Sequence, residues 1–170
     1  GHGRVNDPVL RENFVTVVDA YSAGQQLLRA GITRRSLTEF HACYKYQLMA
    51  HHPEQYKILG NMLGNLGKND PREIAPQYFS ELMKALKKCA TRRTHTNVLQ
   101  HISGYLKQSI SPEDKQEVQY LIGQYLHGIV PLIVPLTLLK HHFRLHPDPY
   151  ISRQVYLQPH PENLSLRNAI

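Results

Sequence analysis

The sequence predicts an all-α fold: a single-domain helical bundle of six to eight helices with an extended, Pro-rich C-terminal tail. Three observations predict it. Apolar residues recur at three- and four-residue spacing along most of the chain. No segment of useful length alternates with the two-residue period of a half-buried strand, and no internal repeat is visible. Cap residues or prolines stand before the apolar stripes, and glycine or proline follows several of them. A chain of 170 residues is long enough for one domain with a sizeable core.

The elements follow in order. Asp7-Pro8 pairs an N-cap with a proline at the first helical position. Leu10, Phe14, Val17, Val18 and Tyr21 then keep one face to Gly24 or Gly31. Thr33 to Ser36 start a second helix, with Leu37, Phe40, His41, Tyr44 and Leu48 on one side, stopped by His52-Pro53. A third runs from Pro53 through Tyr56, Leu59 and Leu63. Its Gly60, Gly64 and Gly67 weaken it or admit a close neighbour. Asn69-Asp70-Pro71 opens a helix over Ile74, Tyr78, Leu82 and Leu86 that ends near Lys88. Thr91 caps the next, whose stripe is Val98, Leu99, Ile102, Tyr105 and Leu106. Ser111-Pro112-Glu113 caps a helix over Val118, Leu121, Ile122, Tyr125 and Leu126, closed by Gly128.

Pro131 and Pro135 then imply a kink or a late start, because a proline lacks the N–H of a helix interior. Leu132 to Leu139 is apolar nearly all round, which predicts the buried centre of the bundle. Past Pro147 the prolines predict a tail wrapping the outside, with a short last helix from Glu162 to Asn168.

Charge is concentrated. Lys84, Lys87, Lys88, Arg92, Arg93 and Lys107 are six of the 20 basic residues, and no acid lies between Glu81 and Glu113. The rest of the chain is near neutral, so one stripe carries most of the net charge of +7. Such a focused field attracts a polyanion or a phosphate-bearing ligand. Lysines in a last turn also suit the negative end of a helix dipole. Arg92 and Arg93, in a first turn, do not, and an anion docked there would meet free N–H groups and two guanidinium forks. Arg93, Asn97, His101 (or Gln100) and Gly104 fall on a face distinct from the apolar one. An ordinary solvated face would read the same way. Lys45 and Lys140, from other helices, are the expected additions to the stripe. On this reading, removal of Arg92 and Arg93 leaves stability intact.

Other chemistry finds little support. The isolated Cys43 and Cys89 form no CxxC and suggest a reducing compartment. His141, His142 and His146 lack the HExxH pattern and a carboxylate at ligand spacing. His41, between Phe40 and Tyr44 on an apolar face, reads as a core histidine. There is no GxSxG, and GNMLGNLGKND lacks the spacing of a phosphate loop. No signal peptide is evident, and the run from Ile129 to Leu139 is too short to span a bilayer, so a cytoplasmic domain is expected. Gly1-His2 reads as a remnant of an expression tag.

Three runs carry a family resemblance: FHACYKYQLMAHHPEQYKILG (Phe40 to Gly60), RTHTNVLQHISGYLK (Arg93 to Lys107) and PLIVPLTLLKHHFRLHPDPYISRQVYLQPHPENLSLRN (Pro131 to Asn168). Together they resemble the YbgA-like family, over nearly the whole chain. GRVNDPVLRENF (Gly3 to Phe14) is similar to the junction where this domain follows a TudS-type desulfidase domain, as in RudS-like tRNA 4-thiouridine desulfidases. The resemblance implies a junction over residues 1–8 and a YbgA-like helical domain over residues 9–170. It also implies tRNA as partner and a desulfidase domain linked in cis. The iron–sulfur cluster is expected in that linked domain, with no cofactor or catalysis in this chain. The expected RNA-binding residues are Lys45, Lys84, Lys87, Lys88, Arg92, Arg93, His95, Asn97, His101, Lys107 and Lys140. Two alternatives stand beside this reading. One is a small-molecule or nucleotide-binding enzyme domain using His41, His95 or His101 as acid or base. The other is a protein-interaction module marked by an exposed apolar patch.

Overall fold

A computed structural model describes residues 7–158; the expected helix from Glu162 to Asn168 lies outside them. Nine α-helices and two short 3₁₀ turns make up the described fold, and no strand occurs among these residues. The helices are α1 (Pro8–Ala30), α2 (Arg34–Cys43), α3 (Lys45–His51), α4 (Pro53–Gly64), α5 (Pro71–Lys87), α6 (Arg92–Ser103), α7 (Pro112–Leu126), α8 (Ile133–Leu145) and α9 (Pro149–Ser152). The number exceeds the expected range for two reasons. A kink at Tyr44 divides the second expected helix into α2 and α3, and the tail contributes the single turn α9.

The caps act where the sequence placed them. The carboxylate of Asp7 accepts from the N–H groups of Val9 and Leu10, and that of Asp70 from Arg72. Ser111 Oγ accepts from Asp114 N–H at 3.1 Å. Each satisfies donors that the first helical turn leaves without partners. Pro135 falls in the first turn of α8, where no backbone donor is needed, so two prolines are accommodated by a late start.

Two apolar cores form. One gathers Ala20, Leu37, Tyr44, Leu48, Leu59, Leu63, Tyr78, Leu82 and Leu86 from α1 to α5. The other gathers Tyr46, Ala50, Val98, Leu99, Ile102, Val118, Ile122, Tyr125, Leu136, Leu139, Tyr156 and Leu157. The seven-residue α3 lies between them: Leu48 enters the first core, Tyr46 and Ala50 the second. This corrects the expected centre. Leu132, Pro135, Leu136 and Leu139 are buried, but Thr137 is exposed and Ile133, Val134 and Leu138 are half-buried, so α8 is a flanking helix packed on α6 and α7. Its apolar residues outnumber those its neighbours cover, which the sequence alone does not reveal.

A second correction concerns α1. Its expected inward face is largely outside: Phe14 is 67% exposed, Tyr21 58% and Val18 47%, with Leu10 and Leu28 also exposed. Glu12, Val15, Thr16, Ala20 and Gly24 face inward instead. Small residues explain the inversion. Ala20 and Gly24 let α1 lie close on α5, where a Cβ at Gly24 would stand 3.1 Å from the Phe79 ring. Thr16 is satisfied by Gln47, whose Nε2 donates to Oγ1 at 3.3 Å.

The tail does wrap the bundle as far as it is described, in helical turns rather than extended chain. Ile151, Tyr156 and Leu157 are buried, and Gln154 Nε2 donates to the Ala42 carbonyl at 2.8 Å.

Candidate nucleic-acid interface

The basic stripe is built on α5, α6 and the turn between them. Thr91 sits in extended conformation, and its Oγ1 accepts from Thr94 N–H while Thr94 Oγ1 accepts from Thr91 N–H. This reciprocal cap fixes where α6 begins. The buried side of the helix is His95, Val98, Leu99 and Ile102; Arg93, Asn97, Gln100 and His101 are exposed opposite them, with Gly104 beyond. Lys107 follows the 3₁₀ turn Gly104–Leu106 and is exposed. Lys84, Lys87 and Lys88 close α5 on the surface, and Lys84 Nζ lies 3.4 Å from Glu81. An exposed pair of that kind is worth little and leaves the lysine available.

Two expected contact residues are used otherwise. Arg92 is half-buried rather than solvated. Its Nη1 donates to the Tyr125 carbonyl at 2.6 Å and to the Val130 carbonyl at 3.4 Å, and the guanidinium carbon stands 4.7 Å from the centre of the Tyr125 ring. Tyr125 is in the last turn of α7, where a cation is favoured, and its carbonyl also accepts from Gly128 N–H at 3.0 Å. Arg92 therefore ties the start of α6 to the end of α7, and its removal is expected to cost stability rather than leave it intact. His95 is 4% exposed, its Nδ1 2.7 Å from the Tyr156 hydroxyl. It belongs to the core wall and not to the outer face of α6.

Lys45 is half-buried among aromatic rings. Its Nζ stands 5.3 Å from the Tyr46 ring centre, 5.9 Å from Tyr56 and 6.0 Å from Tyr150. Tyr150 stacks on Tyr105, in the 3₁₀ turn that follows α6, with centroids 6.0 Å apart. Burial pushes the Tyr46 hydroxyl above its ordinary range, and a hydrogen bond to Tyr105 adds to the rise. Burial likewise raises Tyr150 to about 12. These phenols stay protonated, a platform of flat rings around one ammonium group. Lys140 is half-buried on α8.

The remaining titratable groups have structural settings. His41 Nδ1 is 2.9 Å from the Tyr78 hydroxyl and its ring stacks on Tyr56 at 4.9 Å. Burial lowers its pKa to about 4, partly offset by the Tyr56 backbone. It is a neutral core histidine, as the sequence suggested. His101 is exposed on α6. Burial raises the Cys43 thiol, with Arg153 pulling the other way, which suppresses its thiolate. No group of three His, Cys, Asp or Glu side chains stands together as a metal ligand set among the described residues, and no described helix is long and apolar enough to cross a membrane.

A cavity of about 170 Å³ was not anticipated. It is lined by Glu12 and Asn13 of α1, His51 of α3, Thr91, Arg92 and His95 of α6, and Tyr125 of α7. Nothing in the sequence could have found it, because it follows from the inverted seating of α1.

A compact helical fold with a basic outer helix face defines a class, and comparison supplies its name. The family model described as a protein of unknown function, DUF1722, matches residues 45–161, and the chain belongs to this family. It is 32% identical over 145 residues to the uncharacterized protein YbgA of Escherichia coli (strain K12), covering 85% of this chain and 86% of that protein. The resemblance to the YbgA-like family is thereby confirmed. No solved structure matches.

Proposed function

We propose that this chain is a tRNA-binding accessory domain that presents tRNA to a linked iron–sulfur desulfidase domain acting on 4-thiouridine. One observation carries the reading: Arg93, Asn97 and His101 are exposed on a helix whose other side is anchored in the core, and Lys107 is exposed just past its end, in a stretch without acids. Phosphates meet Arg93, Lys87, Lys88 and Lys107; Asn97 and His101 offer hydrogen bonds to ribose or base edges; Tyr105 offers a ring for stacking. The rigid backing keeps these groups in one register. A gel-shift titration with bulk tRNA at two salt concentrations tests it. Affinity is expected to fall steeply with salt, and Arg93→Ala to weaken all tRNAs alike while flattening the salt slope by roughly one unit. Salt-insensitive or absent binding refutes the proposal.

The exposed stripe of α1 supports a docking role for the linked domain. Leu10, Phe14, Val18 and Tyr21 form an apolar strip on the first helix. The double variant Phe14→Ser, Val18→Ser is expected to melt within about 0.5 kcal/mol of the parent, since both side chains are solvated, yet to lose association with a desulfidase domain supplied in trans. Undiminished association in a pull-down, or a large loss of stability, contradicts that role.

A further inference from the structure

Lys45, Tyr46, Tyr56, Tyr105 and Tyr150 come together from α3, α4, α9 and the 3₁₀ turn after α6. Tyr78, Tyr125 and Tyr156 in the cores are at most 1% exposed, whereas Tyr105 is 41% exposed. Its ring lies against that of Tyr150 at an interplanar angle of 19°. Both rings are held from behind. The buried Tyr46 is hydrogen-bonded to Tyr105. The Tyr150 hydroxyl donates to the Ala42 carbonyl at 3.5 Å, and the Asp148 carboxylate accepts from Tyr150 N–H at 2.9 Å. A ring mounted in this way loses little freedom when a flat partner stacks on it.

Lys45 is the second half of the arrangement. It is half-buried, yet no described carboxylate forms an ion pair with it. Three ring centres stand 5.3–6.0 Å from Nζ, near the outer limit of about 6 Å for attraction to a ring face. The ammonium donors are left for an acceptor from outside the fold. Lys107, two residues beyond Tyr105, is exposed, and no acid lies between Glu81 and Glu113. A flat ring joined to a negative group suits both halves, and a nucleotide is such a group.

We propose that Tyr105 and Lys45 form a subsite for one unpaired nucleotide of a bound RNA, its base stacked on the open face of Tyr105 and a flanking phosphate on the Lys45 ammonium. The inference rests on the RNA-binding reading above and narrows it to strands with unstacked bases. A base inside a duplex has both faces covered by its neighbours, so a helical stem does not occupy this ring. Every base has a π-face, so the subsite separates single from double strand rather than one base from another.

Fluorescence anisotropy with the full chain tests this, using octaadenylate and an abasic octamer of the same ribose-phosphate backbone. Octaadenylate is expected to bind roughly tenfold more tightly, the order of one base–aromatic stack. The comparison uses the unaltered protein, so it does not depend on any variant folding. The chain has no tryptophan, so Tyr105→Trp places a single reporter in the subsite. Its emission is quenched by octaadenylate, but by neither the abasic octamer nor a poly(A)·poly(U) duplex. Lys45→Gln weakens both octamers alike and flattens the salt slope by roughly one unit. Equal binding of the two octamers, an unquenched reporter at saturation, or a Lys45→Gln variant that binds like the parent overturns the subsite while the RNA-binding reading stands. Binding of a decaproline peptide in place of either octamer assigns the rings to a polypeptide and also overturns it. Failure of both octamers and of tRNA to bind overturns both readings.

Discussion

Arg92→Ala is expected to lower stability by about 2–4 kcal/mol, the largest loss from any basic residue of the stripe. The variant removes a charged donor from the Tyr125 carbonyl at 2.6 Å and a cation from the face of the Tyr125 ring at 4.7 Å. A hydrogen bond to a charged group contributes about 1.5–3 kcal/mol, and a partly desolvated cation–π contact about 1–2. The carbonyls at the end of α7 are also left with one donor fewer. For a chain of this size the melting temperature should fall by roughly 5–10 °C. Arg92→Lys keeps the charge but not the planar fork, and should recover only part of the loss. Arg93→Ala is the control: its side chain is exposed, and a cation in a first turn does not help the helix, so melting should be unchanged. Paired thermal melts decide. If Arg92→Ala melts like the parent, the clamp between α6 and α7 is wrong.

Acid should destabilise the protein through His41. Its folded pKa is lowered to about 4 from 6.5 by burial. Between those values the unfolded chain binds the proton and the folded chain does not, so stability rises with pH across this window. The contribution is fully present above about pH 6.5 and is lost as pH falls towards 4, a change of roughly 3 kcal/mol. The groups facing the ring are the Tyr78 hydroxyl and the Tyr56 ring, neither of which titrates in that range. Denaturant unfolding at pH 7, 6, 5 and 4 should show the slope in the parent and a shallower one in His41→Gln. Parallel slopes in the two proteins would assign the acid sensitivity elsewhere.

What the sequence made legible was local. Asp7, Asp70, Thr91 and Ser111 announced helix starts, and all four cap as expected, because capping is decided within a few residues. The outer face of α6 was equally readable, since Val98, Leu99 and Ile102 fix its rotation. Tertiary choices were not. In α1 two faces compete, and the apolar one lost because only Ala20 and Gly24 allow close seating on α5. The same hidden choice buried Glu12 and created the cavity. Arg92 and Arg93 are adjacent and chemically identical, yet one is a clamp and the other is solvated. Their difference depends on where α7 ends in space, which spacing along α6 cannot encode.

The seating of α3 bears on how the molecule opens. A seven-residue helix has no independent stability in water, so α3 persists only while both cores grip it. Loss of either core releases Leu48 or Tyr46 and Ala50 and thereby weakens the other. The amino- and carboxy-terminal halves should therefore exchange their slowest amide hydrogens through one shared opening event, with amides in α5 and α7 reporting the same free energy. A ligand held at α6 and the end of α5 would then slow exchange in α4, where none of the groups proposed to meet it lies.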